Sequence, residues 1–150
     1  MSLYGFIVLI HVLGAICGIG ASFASPFLLN RAKTAKQAEF ALHVNHSIDK
    51  VVVIGTFTLL ISGLMMGALN TSLFTQGWYI ASLILFVTIL PVAGFIVPKK
   101  VAQQVEILKN HQGHELPDSY LNVKKQAAPF NRYTYIATVI IIIFMVTKPF

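Results

Sequence analysis

The sequence predicts an all-α integral membrane protein, a four-transmembrane-helix antiparallel bundle with both termini outside, and three observations carry that prediction. First, 56% of the 150 residues are hydrophobic and only 11% are charged, and the mean hydropathy of +0.75 lies far above that of an ordinary soluble domain. Second, the stretches Leu3–Leu29, Val51–Leu69, Trp78–Val97 and Tyr133–Thr147 meet or approach the ~20 apolar residues that a helix needs to cross a bilayer. Third, the cations are sorted by connection. Arg31, Lys33, Lys36 and Lys50 surround the first, and Lys99, Lys100, Lys109, Lys124, Lys125 and Arg132 surround the third, whereas Asn70 to Gly77 carries none. The positive-inside rule then places both termini outside and loops one and three in the cytoplasm. The net charge of +6 is accounted for by that topology and points to no nucleic-acid partner. Residues 1–150 are expected to form a single integral membrane domain.

The first helix is expected from near Leu3 to a break at Ser25-Pro26 or slightly beyond, and it is read as retained because no Lys or Arg precedes its apolar run as a secretion signal requires. His11, Gly14, Gly18, Ala21 and Ser25 follow 3-4 spacing, so they share one stripe. Gly14 and Gly18 are a small-xxx-small pair that lets another backbone come close. The second helix should begin in water near Ala35. Its stripe is expected to be His46, Asp49, Val53, Thr56, Leu60, Gly63 and Gly67, with a second small pair at Gly63/Gly67. A short basic connection makes these two helices antiparallel neighbours. Either glycine face is also a candidate homodimer contact.

Trp78 and Tyr79 are expected as an interfacial aromatic belt opening the third helix, with a kink at Pro91. Past Pro98, the spacing of Val101, Val105 and Leu108 predicts an amphipathic extension on the cytoplasmic side. A polar loop with Gly113, Pro117 and Asp118 ends it. Pro129-Phe130-Asn131 reads as the start of the fourth helix, with Asn131 as its N-cap, and Ile140 to Ile143 as lipid-facing. The lone Cys17 makes no intramolecular disulfide and reads as a packing residue.

Function is sought where polar chemistry enters the apolar runs. His11 lies inside the first span, where an imidazole must find a partner: a haem iron or copper ion, or a Ser or Thr of a neighbouring helix. Met65, Met66 and Met145 fall in the same leaflet, roughly 5 to 10 Å in axial rise from the level of His11, and are the candidate second ligands. A bis-His haem with His46 is excluded by a depth difference of about 20 Å or more. Glu39, His43, His46 and Asp49 recur one turn apart on the second helix; His43, His46 and Asp49 are a candidate metal or proton-handling cluster, or else a solvated face. His111 and His114 sit in a polar loop. The chain carries no nucleophile-base pair, phosphate loop or Cys-x-x-Cys motif to support hydrolysis or nucleotide-driven work.

Ile10-His11-Val12-Leu13-Gly14, the run Leu60 to Gly67, Trp78 and the closing Met145-Val146-Thr147-Lys148-Pro149 together resemble a bacterial family of integral membrane proteins, domain of unknown function 2269, over essentially the whole chain. More distantly, an early helix-one histidine followed by small residues is similar to HemJ-type protoporphyrinogen oxidases and CopD-like copper-handling membrane proteins. That resemblance implies His11 as the ligand or active-site histidine and haem b or copper as the cofactor. A haem- or porphyrin-associated redox protein, a copper handler and a non-catalytic assembly or partner subunit are the three functions carried forward.

Overall fold

The computed structural model describes residues 2–150 and has four helices in up-down-up-down order: α1 (Leu3–Arg31), α2 (Ala35–Leu69), α3 (Gly77–Lys109) and α4 (Asp118–Thr147). Among the described residues there is no strand. Residues 32–34 and 110–117 connect the helices at the lysine-rich end, here the basic end, and a 3₁₀ turn over Thr71–Thr75 connects α2 to α3 at the terminal end. At ~1.5 Å per residue, the 35 residues of α2 span about 50 Å, well beyond a ~30 Å hydrocarbon core. Its excess length projects past the apolar run.

Two hairpins make up the bundle. α1 lies along α2 and α3 lies along α4, and the hairpins join chiefly at their ends. At the basic end Ala35, Ala38 and Leu42 of α2 bury against Leu108 of α3 and Tyr120 of α4, with Leu29, Val101 and Val105 packed around them. The amphipathic extension past Pro98 is therefore present, and it is used in a small core of its own. At the terminal end Leu73, Trp78 and Tyr79 form the second core, flanked by Met66, Phe144 and Met145. Between the cores most large apolar side chains face outward, as Phe57, Ile61, Ile84, Val87 and Ile143 do, which suits a surface solvated by lipid tails.

Backbone hydrogen bonds fix the ends. The Thr34 hydroxyl accepts from the Gln37 amide at 3.3 Å while the Gln37 side chain accepts from the Lys33 amide at 2.9 Å, satisfying free donors at the start of α2. The Ala35 amide donates to the His114 carbonyl at 3.0 Å, tying loop three to the same helix end. The Lys124 ammonium donates to the Leu29 carbonyl at 3.2 Å and so caps the last turn of α1.

Four expectations are corrected. The first helix does not break at Ser25-Pro26; Pro26 lies inside α1, and the helix runs on to Arg31. Proline removes the donor that the Ser22 carbonyl would otherwise meet, and the Tyr135 hydroxyl of α4 donates to that carbonyl instead at 3.3 Å, with the Tyr135 ring stacked on Phe23. The fourth helix starts at Asp118, not Asn131, and passes through Pro129. Tyr120 and Ala127 are buried on its first turns, so the segment had packing to gain that its polar composition hid. Trp78 and Tyr79 are 6% and 4% exposed, not a lipid-facing belt. Trp78 donates to the Gln76 side chain at 2.6 Å and lies beneath the Lys148 ammonium, 5.5 Å from its ring centroid. Finally, the buried stripe of α2 contains Asn45, Gly55, Leu59 and Ser62, whereas Val53 is exposed. The predicted kink region of α3 takes the form of a π-helical turn, Val92–Ile96, between Pro91 and Pro98.

Candidate functional site: a histidine clasped in a glycine-lined hairpin

The α1–α2 hairpin closes around three glycines. A Cβ placed on Gly18 would stand 3.0 Å from the Gly55 carbonyl carbon, and one on Gly14 would stand 2.9 Å from the Thr58 methyl. The two backbones thus touch where only glycine permits it. The expected stripe of His11, Gly14 and Gly18 does face α2, one turn after another. Its counterpart is Gly55, not the Gly63/Gly67 pair. A Cβ on Gly67 would meet the Tyr79 hydroxyl and Phe74, so that glycine receives the start of α3. Gly14, Gly18 and Gly67 are consequently engaged within the chain, which removes them as free surfaces for a second copy.

One turn above the close approach, His11 Nδ1 lies 2.8 Å from Ser62 Oγ. Gly63 gives the ring its room: a Cβ there would stand 3.5 Å from His11 Cε1. The Ser62 hydroxyl also bonds to backbone carbonyls of its own helix, Thr58 and, at 3.3 Å, Leu59. A hydroxyl has one proton, for which those carbonyls and the His11 ring compete. Where a carbonyl takes it, Ser62 Oγ accepts from His11, the proton sits on Nδ1 and the Nε2 lone pair is left bare. Among the described residues no hydrogen bond reaches Nε2. Tyr79 closes the neighbourhood, its hydroxyl donating to the Gly63 carbonyl at 3.0 Å.

The candidate methionines lie on two sides of the second helix. Met65 is 46% exposed on the outer face of α2, and Met66 and Met145 pack around Leu73, Trp78 and Tyr79 in the terminal core. On the second helix Glu39, His43 and His46 are exposed and Asp49 is half-buried. Among the described residues no group of three or more His, Cys, Asp or Glu is placed to hold a metal ion. Asp49 instead accepts from the Asn45 side-chain amide at 3.0 Å.

With this geometry in place, comparison with known families gives one result. The sequence model of DUF2269, described as a predicted integral membrane protein, matches residues 6–149. The chain belongs to that family. No curated protein and no solved structure matches it. The DUF2269 description fits the four membrane-length helices and names no ligand. In this DUF2269 protein the sequence located His11 and offered a Ser or Thr as one of its partners, but it did not single out Ser62, Gly55 or Asn45. Ser62 and Gly55 are seven residues apart, the same 3-4 spacing that marks the opposing stripe, and that period was the available signal.

Proposed function

We propose that this protein is a haem-associated membrane protein of the bacterial plasma membrane in which His11 Nε2 would hold the iron. The observation that supports this reading is the Ser62 contact on Nδ1: a partner there orients the imidazole and leaves Nε2 free of hydrogen bonds, which is how proteins prepare a ligating histidine. His11 would hold the iron through Nε2; Met65 faces outward, and Met66 and Met145 stand in the terminal core with Tyr79. Bound haem would supply one-electron chemistry, and the chain's own contribution is the oriented imidazole in a closed, apolar hairpin. Copper finds less support, because Cu(I) needs several soft or imidazole donors and His11 stands alone.

The test is an absorption spectrum with metal analysis on detergent-purified protein, before and after haem addition, for wild type and His11→Ala. A Soret band that saturates at one haem per chain and is lost in the variant is the expected result. No band in either protein, with or without added haem, would transfer the assignment to the other reading that the same hydrogen bond favours. In that reading His11–Ser62 is an interhelical lock in a non-catalytic assembly or partner subunit.

Residues 1–150 act as one four-helix domain in this proposal, with the basic end, loops one and three, in the cytoplasm. The asymmetry of Lys and Arg supports that orientation. Any homodimer would form through a lipid-facing surface, since the Gly14/Gly18 face and Gly67 are already occupied.

A further inference from the structure

Asn45 lies on the α2 face that Ala38 and Leu42 line nearer the basic end, and it is 4% exposed. Its Nδ2 donates to Asp49 Oδ2 at 3.0 Å. Its Oδ1 is fully buried and, among the described residues, has no hydrogen-bond partner. Rotating the amide by half a turn does not repair this, because Oδ1 would then oppose the Asp49 carboxylate with no proton between them. A buried acceptor facing no donor is costly, so something else must meet it.

The surroundings indicate its chemistry. The Asp49 carboxylate is within electrostatic reach of the Tyr135 phenol of α4, and Tyr135 commits its proton to the Ser22 carbonyl of α1. Asn45 Oδ1, the Asp49 carboxylate and the Tyr135 oxygen therefore offer lone pairs and no spare proton. Of the cationic groups nearby, His46 acts on Asp49 but is exposed, Lys50 is exposed, and Lys124 is engaged by the Leu29 carbonyl. One negative charge among neutral oxygens suits a hard cation of single charge. Calcium and magnesium sites ordinarily gather more carboxylates, and no imidazole or thiolate set for a transition metal is present among the described residues.

We propose that Asn45 and Asp49 bind one small monovalent cation of the sodium class on the buried face of α2. The remaining coordination comes from water. This site is separate from His11 and does not rest on the haem reading.

The experiment uses the full chain in detergent, transferred from choline chloride to sodium chloride at equal ionic strength. Thermal unfolding and ²²Na⁺ binding are measured together. Saturable binding of one sodium per chain is expected, with the unfolding midpoint raised by about 3–6 °C at saturation. Asp49→Asn keeps the shape and removes the charge; it should melt as the wild type does in choline and bind sodium at least tenfold more weakly. Ser62→Ala, remote from Asn45, should bind sodium normally. Identical midpoints in the two salts with no saturable sodium would overturn the proposal and assign Asn45 Oδ1 to water. So would sodium binding that survives Asp49→Asn unchanged. The two-salt comparison on wild type decides the matter even if a variant fails to fold.

Discussion

Alanine at Gly55 adds one methyl group at the point where α1 and α2 come closest. Its Cβ would press on the Gly18 amide nitrogen and Cα and would stand 2.8 Å from the Gly14 carbonyl oxygen. All three obstacles are backbone, so no rotamer change can clear them. Restoring ordinary contact at ~3.5 Å requires the helices to part by about 1 Å. Overpacking in a close-packed interior usually costs about 1–3 kcal/mol, and a backbone obstacle belongs at the upper end of that range. The displacement also reaches the histidine. Ser62 is two turns from Gly55, and a hairpin opened by ~1 Å would stretch the 2.8 Å contact of His11 with Ser62 past hydrogen-bonding distance. Thermal unfolding of the purified protein, with the His11 ring nitrogens followed by ¹⁵N NMR, reads both effects. Gly55→Ala should lower the midpoint by at least 5 °C and release the fixed tautomer. A variant that melts within 1 °C of wild type and keeps the tautomer would refute the close approach. Gly20 is the control, since a Cβ there meets nothing within 4 Å and Gly20→Ala should be neutral or slightly stabilising.

Other outcomes follow from single contacts. Ser62→Ala removes the acceptor for His11 and should destabilise by about 0.6–1.7 kcal/mol, the range of interhelical hydrogen bonds in membranes, measured by unfolding in mixed micelles. Tyr135→Phe leaves the Ser22 carbonyl, already deprived of its donor by Pro26, without a partner; a loss of about 1–3 kcal/mol is expected, and Pro26→Ala in the same chain should recover part of it. Leu42→Ala opens the basic-end core and should cost about 2–5 kcal/mol, with faster hydrogen exchange in residues 110–117 because that loop is tied to the start of α2.

The spans were legible because lipid imposes a length and an apolar composition that few other environments share, and α1, α2 and α3 contain their apolar runs nearly whole. What lies beyond the hydrocarbon was legible only in part. Val101, Val105 and Leu108 announced a helix by their period, but the segment from Asp118 to Phe130 is polar, carries Lys124 and Lys125, and ends at a proline, so it read as loop. Its helical pattern is anchored by Tyr120 and Ala127, which bury against partners the sequence does not name. The α2 stripe shows a related limit. Gly63/Gly67 and Gly55/Ser62 lie on adjoining faces of one helix, and periodicity cannot tell which face meets α1. That choice is made by the paired glycines Gly18 and Gly55 at the crossing.

The two polar features occupy mechanically different places. His11 and Ser62 belong to one hairpin, are separated from the crossing glycines by about a turn or two, and sit where backbone contact leaves little freedom. Asn45, Asp49 and Tyr135 straddle the two hairpins, which otherwise meet mainly in the end cores. A ligand at His11 would therefore find an imidazole held within one hairpin. An ion at Asn45 would act on α2, away from that clasp. Tyr135 connects the two hairpins, because its hydroxyl satisfies the α1 carbonyl freed by Pro26 while its ring stacks on Phe23. If the α1–α2 hairpin moves relative to α3–α4, that contact must change first, while the His11–Ser62 clasp stays closed.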